Sequence, residues 1–497
     1  MNRARHLLFA AIVIASTCAC GQHPRSTTAP ATVADPRAAG VVALVGAYHQ
    51  LGQFDGVVLV ADAGRVVYRG AFGLANREWQ VPHTLDSRFE IASLTKPMTA
   101  IAILQLVDEG KLRLDAAVAD YIPYFRETPG AKITIEQLLA HRSGLQQDIA
   151  FPDDAAGASV AARINADQLS LDEIVKLIAA RPLRFAPGSG YAYSSDGYAV
   201  LGEVIERVTA KSYVAAIEER VLHRAGMTAT VPAILAPLVP QRVMGYRQTW
   251  DAIENGTHIG ASPAGGFYST VGDLLAWERA LVGSALLSPR MKQLVFSARD
   301  VITAYGWKTR EETRRGRKQL IVRTTGGLPG FIHVLERIPA EDRVVIVLCN
   351  VRGPANYTDR MVTAIHAVLD GKQPEPPRRS AAMVLAGNLR RSADAIRREL
   401  DTMGADTEHF YVDESEINLL GYHALQSRRD PPTAIAILAF NARRFPKSAN
   451  VYDSLGEAEL AAGDRDAAIR DYRKVLELDP KNANAKQVLE RLGVPTK

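Results

Sequence analysis

Apolar positions in the first 370 residues predict β-strands at both ends of this region and helices between them. The run FDGVVLVADAGRVVYRGAFG, residues 54–73, places β-branched residues on both sides of an Asp-Ala-Gly turn, which is typical of a hairpin. Strand patterns return in KQLIVRTT, FIHVLERIP and DRVVIVLCNV, residues 318–351. From about residue 93 to 280 the apolar spacing is helical, and a last helix is expected near residues 357–369.

Strands at both ends of one domain imply a shared sheet. If the ends meet, the strands form one antiparallel sheet, and the helices of the middle region pack on it and beside it. The proline-containing stretch GKQPEPPRRS, residues 371–380, is interpreted as a linker that closes this domain. The pattern therefore predicts an α+β domain over residues 41–370, with a helical subdomain inserted in the sheet.

Residues 381–497 show helical periodicity only, with an internal echo. Ala434 and Pro446 match Ala468 and Pro480 at a spacing of 34 residues. The segment VYDSLGEAELAAGDRDAAIRDYRKVLELDP resembles a tetratricopeptide repeat, with the small Gly456 where two helices would touch. Two copies are fewer than a repeat stack needs, so we expect them to pack on a helix near residues 383–400 and on the first domain. A packing cap and a surface for a protein partner are both open.

The first 20 residues have the pattern of an export signal. Arg3 and Arg5 precede the apolar run LLFAAIVIA, which is too short to span a membrane, and small residues follow. Cys18 and Cys20 resemble the end of a bacterial lipoprotein signal, although neither follows a large aliphatic residue three positions earlier. We expect a periplasmic protein, and plain export and a lipid anchor are open alternatives. Residues 21–40 are interpreted as a polar tether.

Composition and charge narrow the function classes. The 59 basic and 54 acidic residues are interspersed, so no long-range field favours nucleic acid. The basic run TRRGRK, residues 313–318, is interpreted as a solvated hairpin tip. The 11 histidines form no His-Glu-x-x-His cluster, and no Gly-x-Ser-x-Gly motif occurs, which disfavours a metalloenzyme and an α/β-hydrolase. We expect no metal, no cofactor and no disulfide framework, with Cys349 as a buried thiol.

Candidate chemistry lies at the start of the apolar stretch FEIASLTKPMTAIAILQLVDEG. Ser93 and Lys96 are one helical turn apart, so the lysine would lie beside the serine hydroxyl. A serine is a weak nucleophile until a neighbouring base takes its proton. The helix start adds backbone N–H groups where an oxyanion would form. The spacing alone is expected about once or twice by chance in a chain of this length, and a capping serine beside a solvent-reaching lysine is the alternative.

Four further motifs accompany this pair: ITIEQLLAHRSGL, YAYSSDGYAVLGEVIE, PAGGFYSTVGDLLAWERAL and VRTTGGLPGF. In this order they resemble the serine β-lactamase and penicillin-binding-protein family, in its class C-like and esterase-like branch, over roughly residues 41–369. The resemblance implies a β-lactamase/transpeptidase-like fold, with residues 41–370 as a serine hydrolase domain. It makes Ser93 the acylated nucleophile, Lys96 its proton partner, and Tyr193 the relay that protonates the leaving group and activates water. Otherwise Tyr193 is a core tyrosine.

The same resemblance implies a substrate-binding set, which is Ser195, Thr324, Thr325, Gly326 and Gly327, with the N–H groups of Ser93 and Gly327 as the oxyanion hole. Two positions depart from the family pattern. Ser195 replaces an asparagine that donates to the substrate's acyl-side amide. Thr324 replaces a lysine or histidine, so the strand lacks a cation for a substrate carboxylate. Arg323 is adjacent, but strand alternation directs its side chain to the opposite face.

These features predict an exported serine hydrolase that forms an acyl-enzyme on Ser93. Its expected substrates are small-molecule or peptide acyl compounds, with esterase or D-amino-acid-peptidase-like activity and weak β-lactamase activity. His141 and Ser143 also match a family motif, and we expect them to fix a turn rather than take part in chemistry. The alternative is a non-catalytic exported protein that uses the fold and the helical repeats for protein or cell-wall interaction.

Overall fold

The structure is a computed structural model that describes residues 35–146, 149, 161–164, 166–234, 237–256, 258, 260, 262–296 and 305–495. The predicted export signal, both of its cysteines and most of the predicted tether lie outside these residues. The tether prediction extends too far, because a helix begins at Pro36 with Asp35 as its N-cap. Among the helices in these ranges, none is both long enough and apolar enough to cross a membrane.

The strands are, in chain order, β1 Gly56–Asp62, β2 Arg65–Phe72, β3 Leu74–Asn76, β4 Val81–Pro82, β5 Phe89–Glu90, β6 Val231–Pro232, β7 Tyr246–Gln248, β8 Ile253–Asn255, β9 Phe267–Ser269, β10 Lys308–Arg314, β11 Arg317–Leu328, β12 Phe331–Ile338, β13 Arg343–Cys349, β14 Val351–Arg352, β15 Arg379–Ser380 and β16 Phe410–Tyr411. The α-helices of the first domain are Pro36–Gln50, Lys96–Asp108, Ile135–Leu139, Leu171–Ala179, Ser195–Thr209, Tyr213–Ile217, His223–Ala225, Val271–Val282, Pro289–Phe296 and Tyr357–Leu369. Those of the C-terminal region are Ala381–Ala386, Ala393–Ala405, Glu414–Tyr422, Pro431–Arg444, Ala449–Ala462, Arg465–Leu478 and Ala483–Arg491.

One six-stranded sheet organises the first domain, with strand order β10-β11-β12-β13-β1-β2. Its pairs are all antiparallel, and β1 lies beside β13, so the two ends of the domain meet as the sequence predicts. Both predicted hairpin turns are present. Ala63 and Gly64 have positive φ between β1 and β2, and Arg315 and Gly316 have positive φ between β10 and β11. Two such residues match the twist of the flanking strands.

The sheet separates two apolar cores. Helices Pro36–Gln50 and Tyr357–Leu369 cover one face, and the long buried helix Lys96–Asp108 lies within the core on the other. Strands β1 and β13 are buried along their whole length, because both of their faces are covered. Cys349 is buried at the end of β13, where burial raises the pKa of its thiol to about 11.

The region predicted as helical, residues 93–280, also contains short strands. β6 and β9 join β5 in one small sheet, and β7 and β8 join β14 in another. Each of these strands has two or three residues, so no alternation of apolar positions could reveal it. The second small sheet brings β14 beside the end of β13, at the same edge of the domain as the candidate active site.

The C-terminal region is helical apart from the two-residue strands β15 and β16, which pair in parallel. The single helix predicted near residues 383–400 is wrong. Two helices replace it, because Ser392 starts a new one by accepting a hydrogen bond from the N–H of Ala395. Helices Ala449–Ala462 and Arg465–Leu478 touch at Gly456, where a Cβ would lie 2.9 Å from the Tyr472 ring. The tetratricopeptide assignment itself stays a prediction.

The C-terminal helices contact the first domain through several side chains. Trp250 packs against their apolar core, and Nε2 of His423 lies 3.3 Å from Oδ2 of Asp251. The guanidinium of Arg360 lies 3.9 Å from the centre of the Tyr411 ring. These contacts are apolar and cation–π in character, which supports a packing role for the helices.

Deleting residues 379–497 is therefore expected to lower the melting temperature and to expose apolar surface around Trp250, while turnover per folded molecule changes little. Scanning calorimetry, binding of a hydrophobic dye and active-site titration would measure the three quantities. A matched control is the Arg360→Ala variant of the full chain, which removes only one of the contacts. A truncated protein as stable as the full chain would show that the helices are not a cap and leave a partner-binding role.

Candidate active site

Ser93 lies on a short 3-10 turn, Ala92–Thr95, which leads directly into helix Lys96–Asp108. Sequence periodicity predicts a regular α-helix through Ser93, so the tighter turn is a correction. Ala92 has φ 52°, a left-handed conformation that residues other than glycine rarely adopt. Strained residues of this kind persist where the surrounding structure fixes them, and they cluster at functional sites. The buried helix behind the turn holds Ser93 in a fixed place.

Lys96 is buried, with 2% of its surface exposed. Its Nζ donates to Oγ of Ser93 at 2.9 Å, to Oγ of Ser195 at 3.2 Å and to the carbonyl of Ala264 at 3.0 Å. It also lies 4.9 Å from the centre of the Tyr193 ring. Within the described residues no carboxylate lies within 4 Å of this ammonium, so two hydroxyls, a carbonyl and an aromatic face surround it instead of an ion pair.

Tyr193 completes the contacts of the serine. Its hydroxyl donates to Oγ of Ser93 at 3.0 Å, and 44% of the residue is exposed, so it is not a core tyrosine. The residue comes from the loop before helix Ser195–Thr209, whose N-cap is Ser194. The structure thus brings the three predicted catalytic residues together and adds Ser195 as a second hydroxyl on Lys96.

His141 holds the Tyr193 loop from three directions. Its carbonyl accepts from the N–H of Ala192 at 3.0 Å, and its Nδ1 accepts from the N–H of Ser194 at 3.1 Å. Its ring lies on the Tyr193 ring, with 4.4 Å between the centres. Burial, together with the charge of Lys96, lowers the pKa of His141 to about 3, so the imidazole is neutral at ordinary pH. His141 does occupy a turn, with φ 55°, but its contacts make it a positioning residue for Tyr193.

Substitutions at His141 are expected to separate its ring from its acceptor atom. Asparagine tolerates positive φ and can still accept from the Ser194 N–H, so His141→Asn should keep most activity. His141→Phe leaves that buried N–H unpaired, which costs about 1–3 kcal/mol, or roughly 5- to 150-fold in kcat. Ester hydrolysis measured from pH 5 to 8 should show the same profile shape in both variants. Loss of one limb of the profile in His141→Asn would instead make His141 a proton-transfer group.

Strand β11 passes along the serine with a glycine at the closest approach. A Cβ on Gly326 would lie 2.3 Å from the carbonyl oxygen of Ile91, so no larger residue fits without movement. Its neighbour Thr324 is buried, with 3% exposed. Pairing with β10 ends at Arg323, and beyond it the described part of the chain pairs β11 with β12 on one side only. The other edge of β11 can therefore pair with an extended substrate segment.

Arg323 does not serve as a cation for the site. It donates to Glu336 at 3.3 Å and to Asp359. Burial opposes ionisation of Glu336, but a hydrogen bond from His366 at 2.9 Å and the charges of His366, Arg310 and Arg323 lower the pKa of Glu336 to about 2. Arg323 is thus neutralised by two carboxylates, in agreement with its predicted orientation away from Thr324.

Two cavities of different character meet at the serine. The first has a volume of about 510 Å³, and polar residues that include Lys308, Thr325 and Arg352 line it. The second has a volume of about 290 Å³ and a largely apolar wall, formed by Ile149, Ile164, Leu169, Leu171, Ile174, Val214, Pro263 and Leu328. Ser93, Tyr193 and Gly327 border both cavities. A bond attacked by Ser93 would therefore join one group in a polar chamber to another in an apolar chamber.

Sequence reasoning missed several of these groups. The carbonyl of Ala264 lies in the motif PAGGFYST, which was a signal for the site but carried no assigned role. The ring contact of His141 and the position of Arg352 depend on segments far apart in the chain. Among the described residues, no group of three His, Cys, Asp or Glu side chains is placed to hold a metal ion.

Comparison with known proteins agrees with the fold and the site. The Beta-lactamase family model matches residues 41–370. The chain is 27% identical to penicillin-binding protein 4* of Bacillus subtilis over 354 residues, which cover 66% of this chain and 75% of the relative. It is 40% identical to esterase EstB of Burkholderia gladioli over 180 residues, covering 34% of this chain and 45% of the esterase. The crystal structure of a penicillin-binding protein from Bacillus halodurans superposes with a TM-score of 0.57 at 25% identity, covering 65% of this chain and 98% of that one.

The antiparallel sheet, the helix that carries Ser93 and Lys96, and these relatives together define a serine hydrolase with the β-lactamase/transpeptidase fold. The chain belongs to the β-lactamase family.

Proposed function

We propose that the protein hydrolyses esters of apolar acids through an acyl-enzyme on Ser93. The observation that carries this proposal is the pair of hydrogen bonds on Oγ of Ser93, one from buried Lys96 at 2.9 Å and one from Tyr193 at 3.0 Å. A serine held between an amine and a phenol has two groups that can take its proton. A binding protein that merely kept the fold would not need either contact.

The acylation step uses these atoms directly. Oγ of Ser93 bonds to the substrate's carbonyl carbon as its proton passes to the Lys96 and Tyr193 pair. The N–H groups of Ser93 and Gly327 hold the oxyanion. The bond to the leaving group then breaks, and the leaving oxygen takes a proton from Tyr193. A water molecule next attacks the acyl carbon, returns a proton to the pair, and releases a carboxylic acid with Ser93 regenerated.

The apolar cavity supports the choice of acyl group. It borders Ser93 and Ser195, and the family resemblance places the acyl side of the substrate at the position of Ser195. A largely apolar wall favours a hydrocarbon group and disfavours a charged one. The short side chain of Ser195 is engaged with Lys96, so it offers little to an acyl-side amide. Both features favour esters over peptides, and the similarity to the Burkholderia gladioli esterase supports the same choice.

Export is part of the proposal and rests on the N-terminal pattern of charged, apolar and small residues. N-terminal sequencing of the mature protein and its mass would distinguish plain cleavage from acylation of Cys18 or Cys20. The C-terminal helices are proposed as a packing cap, and a protein partner for them is the alternative that the truncation described above would reveal.

The activity itself is tested by incubating the purified protein with a fluorophosphonate and measuring its intact mass, followed by a screen of p-nitrophenyl esters, D-amino-acid amides and a chromogenic cephalosporin. The proposal requires one added phosphonyl group per chain and turnover of esters. A protein that binds no phosphonyl group and hydrolyses no ester would instead be a non-catalytic member of the family.

A further inference from the structure

Arg352 has an unusual environment at the mouth of the polar cavity. It ends strand β14, and its Nη1 lies 2.9 Å from the position that a Cβ on Gly327 would occupy. Within the described residues, no carboxylate lies within 4 Å of its guanidinium. Other arginines at this side of the sheet do have carboxylate partners, and they are Arg310, Arg314, Arg323 and Arg343. Arg352 is therefore the arginine in this set whose charge is available to a ligand.

The surroundings of Arg352 favour an anion. Lys308 lines the same cavity and is exposed, and the nearby Asp359 is already bound to Arg323. A guanidinium presents N–H donors in a planar fork that fits the two oxygens of a carboxylate. Because Gly327 has no side chain, the guanidinium approaches the backbone of β11 directly. The fork thus lies beside the residue whose N–H would hold the oxyanion.

The location differs from the strand position at which the family resemblance places a cation. Thr324 and Gly327 are three residues apart on β11, which corresponds to roughly 10 Å at the rise of an extended strand. A carboxylate bound by Arg352 would lie at the Gly327 end of the strand. The apolar wall of the second cavity excludes the same charge from the other side of Ser93.

We propose that Arg352 binds a carboxylate on the leaving-group side of the substrate, so that the preferred esters join an apolar acyl group to an anionic alcohol or phenol. This inference rests on the proposed function, since it names the substrate class of the same site. Arg352 acts here as a specificity-determining residue. It takes no part in proton transfer, and Ser93, Lys96 and Tyr193 act on neutral and anionic esters alike.

Two matched substrates test this inference: the acetyl ester of 3-hydroxybenzoate, which carries a carboxylate, and the acetyl ester of 3-hydroxybenzamide, which is neutral. Arg352→Ala is expected to lower kcat/KM for the carboxylate ester by roughly ten- to a hundred-fold and to leave the neutral ester unchanged. Arg352→Lys should lose part of that factor, because an ammonium binds without the fork. Arg317→Ala, which removes an exposed arginine at the β10–β11 hairpin, is the matched control and should change neither rate.

Equal losses on both esters in Arg352→Ala would overturn the inference, since a structural role affects both alike. Unchanged rates on both esters would overturn it as well. If the wild-type protein hydrolyses neither ester, the proposed function is wrong, and binding decides this inference separately. Calorimetry with the Ser93→Ala protein should then show binding of the carboxylate ester that Arg352→Ala removes, and equal binding in both proteins would reject the site.

Discussion

Replacing Ser93 with alanine is expected to abolish covalent labelling by a fluorophosphonate and to remove ester hydrolysis. The phosphonyl group can attach only to an activated hydroxyl, and Ser93 is the hydroxyl that both Lys96 and Tyr193 contact. Lys96→Ala should lower labelling by orders of magnitude, because residues that act as a unit lose most of the effect when one is removed. Intact mass spectrometry and labelling rates at several probe concentrations would measure both changes.

Ser195→Ala provides a control for this prediction. It removes the second hydroxyl on Lys96 but leaves the contacts of Ser93 in place, so labelling at Ser93 should persist. Circular dichroism and melting curves would show that each variant is folded. Labelling that survives in Ser93→Ala would place the nucleophile at another residue, and peptide mapping of the labelled site would identify it.

Local sequence patterns predict the parts of this fold that depend on neighbouring residues. The two long hairpins follow from β-branched runs around tight turns, and the pairing of β1 with β13 follows from strands at both ends of the domain. The short strands β5 to β9 do not follow, because their pairing partners lie far away in sequence. The break between helices Ala381–Ala386 and Ala393–Ala405 depends on one capping serine within an otherwise helical pattern.

The candidate site shows the same division. The positions of Ser93, Lys96 and Tyr193 follow from ordered motifs, since each motif keeps its own local geometry. The contact of His141 with the Tyr193 loop joins segments about 50 residues apart, and only the packed structure shows that its ring lies on the tyrosine. The availability of Arg352 depends on which arginines have carboxylate partners, and those partners come from several strands and a helix.

The two departures from the family pattern now have different explanations. Ser195 is shorter than asparagine, and its hydroxyl contacts Lys96, so it belongs to the group around the nucleophile. Thr324 is buried on β11, and the nearest cation in sequence, Arg323, is held by Glu336 and Asp359. The strand therefore has no positive charge at the position where the resemblance places a substrate carboxylate.

Short-chain neutral esters are accordingly expected to be far better substrates than cephalosporins. A charge-assisted hydrogen bond to a carboxylate contributes about 1.5–3 kcal/mol, which is roughly ten- to more than a hundred-fold in rate. Thr324 cannot supply it, whereas neutral esters need only the nucleophile and the oxyanion hole. Comparing kcat/KM for p-nitrophenyl acetate and butyrate with kcat/KM for a chromogenic cephalosporin would measure this preference.

Thr324→Lys is expected to raise cephalosporin hydrolysis by part of that factor, because it restores a cation on the strand. Thr324→Met is the matched variant, since it has an unbranched side chain without the charge and should give no gain. The ester rate of both variants reports whether the site remains intact. If the unmodified protein hydrolyses a cephalosporin faster than its best ester, another cation must bind the β-lactam carboxylate. Arg352→Ala in that protein would then be expected to abolish the β-lactamase activity while Arg317→Ala preserves it, because Arg352 is the arginine beside β11 without a carboxylate partner among the described residues.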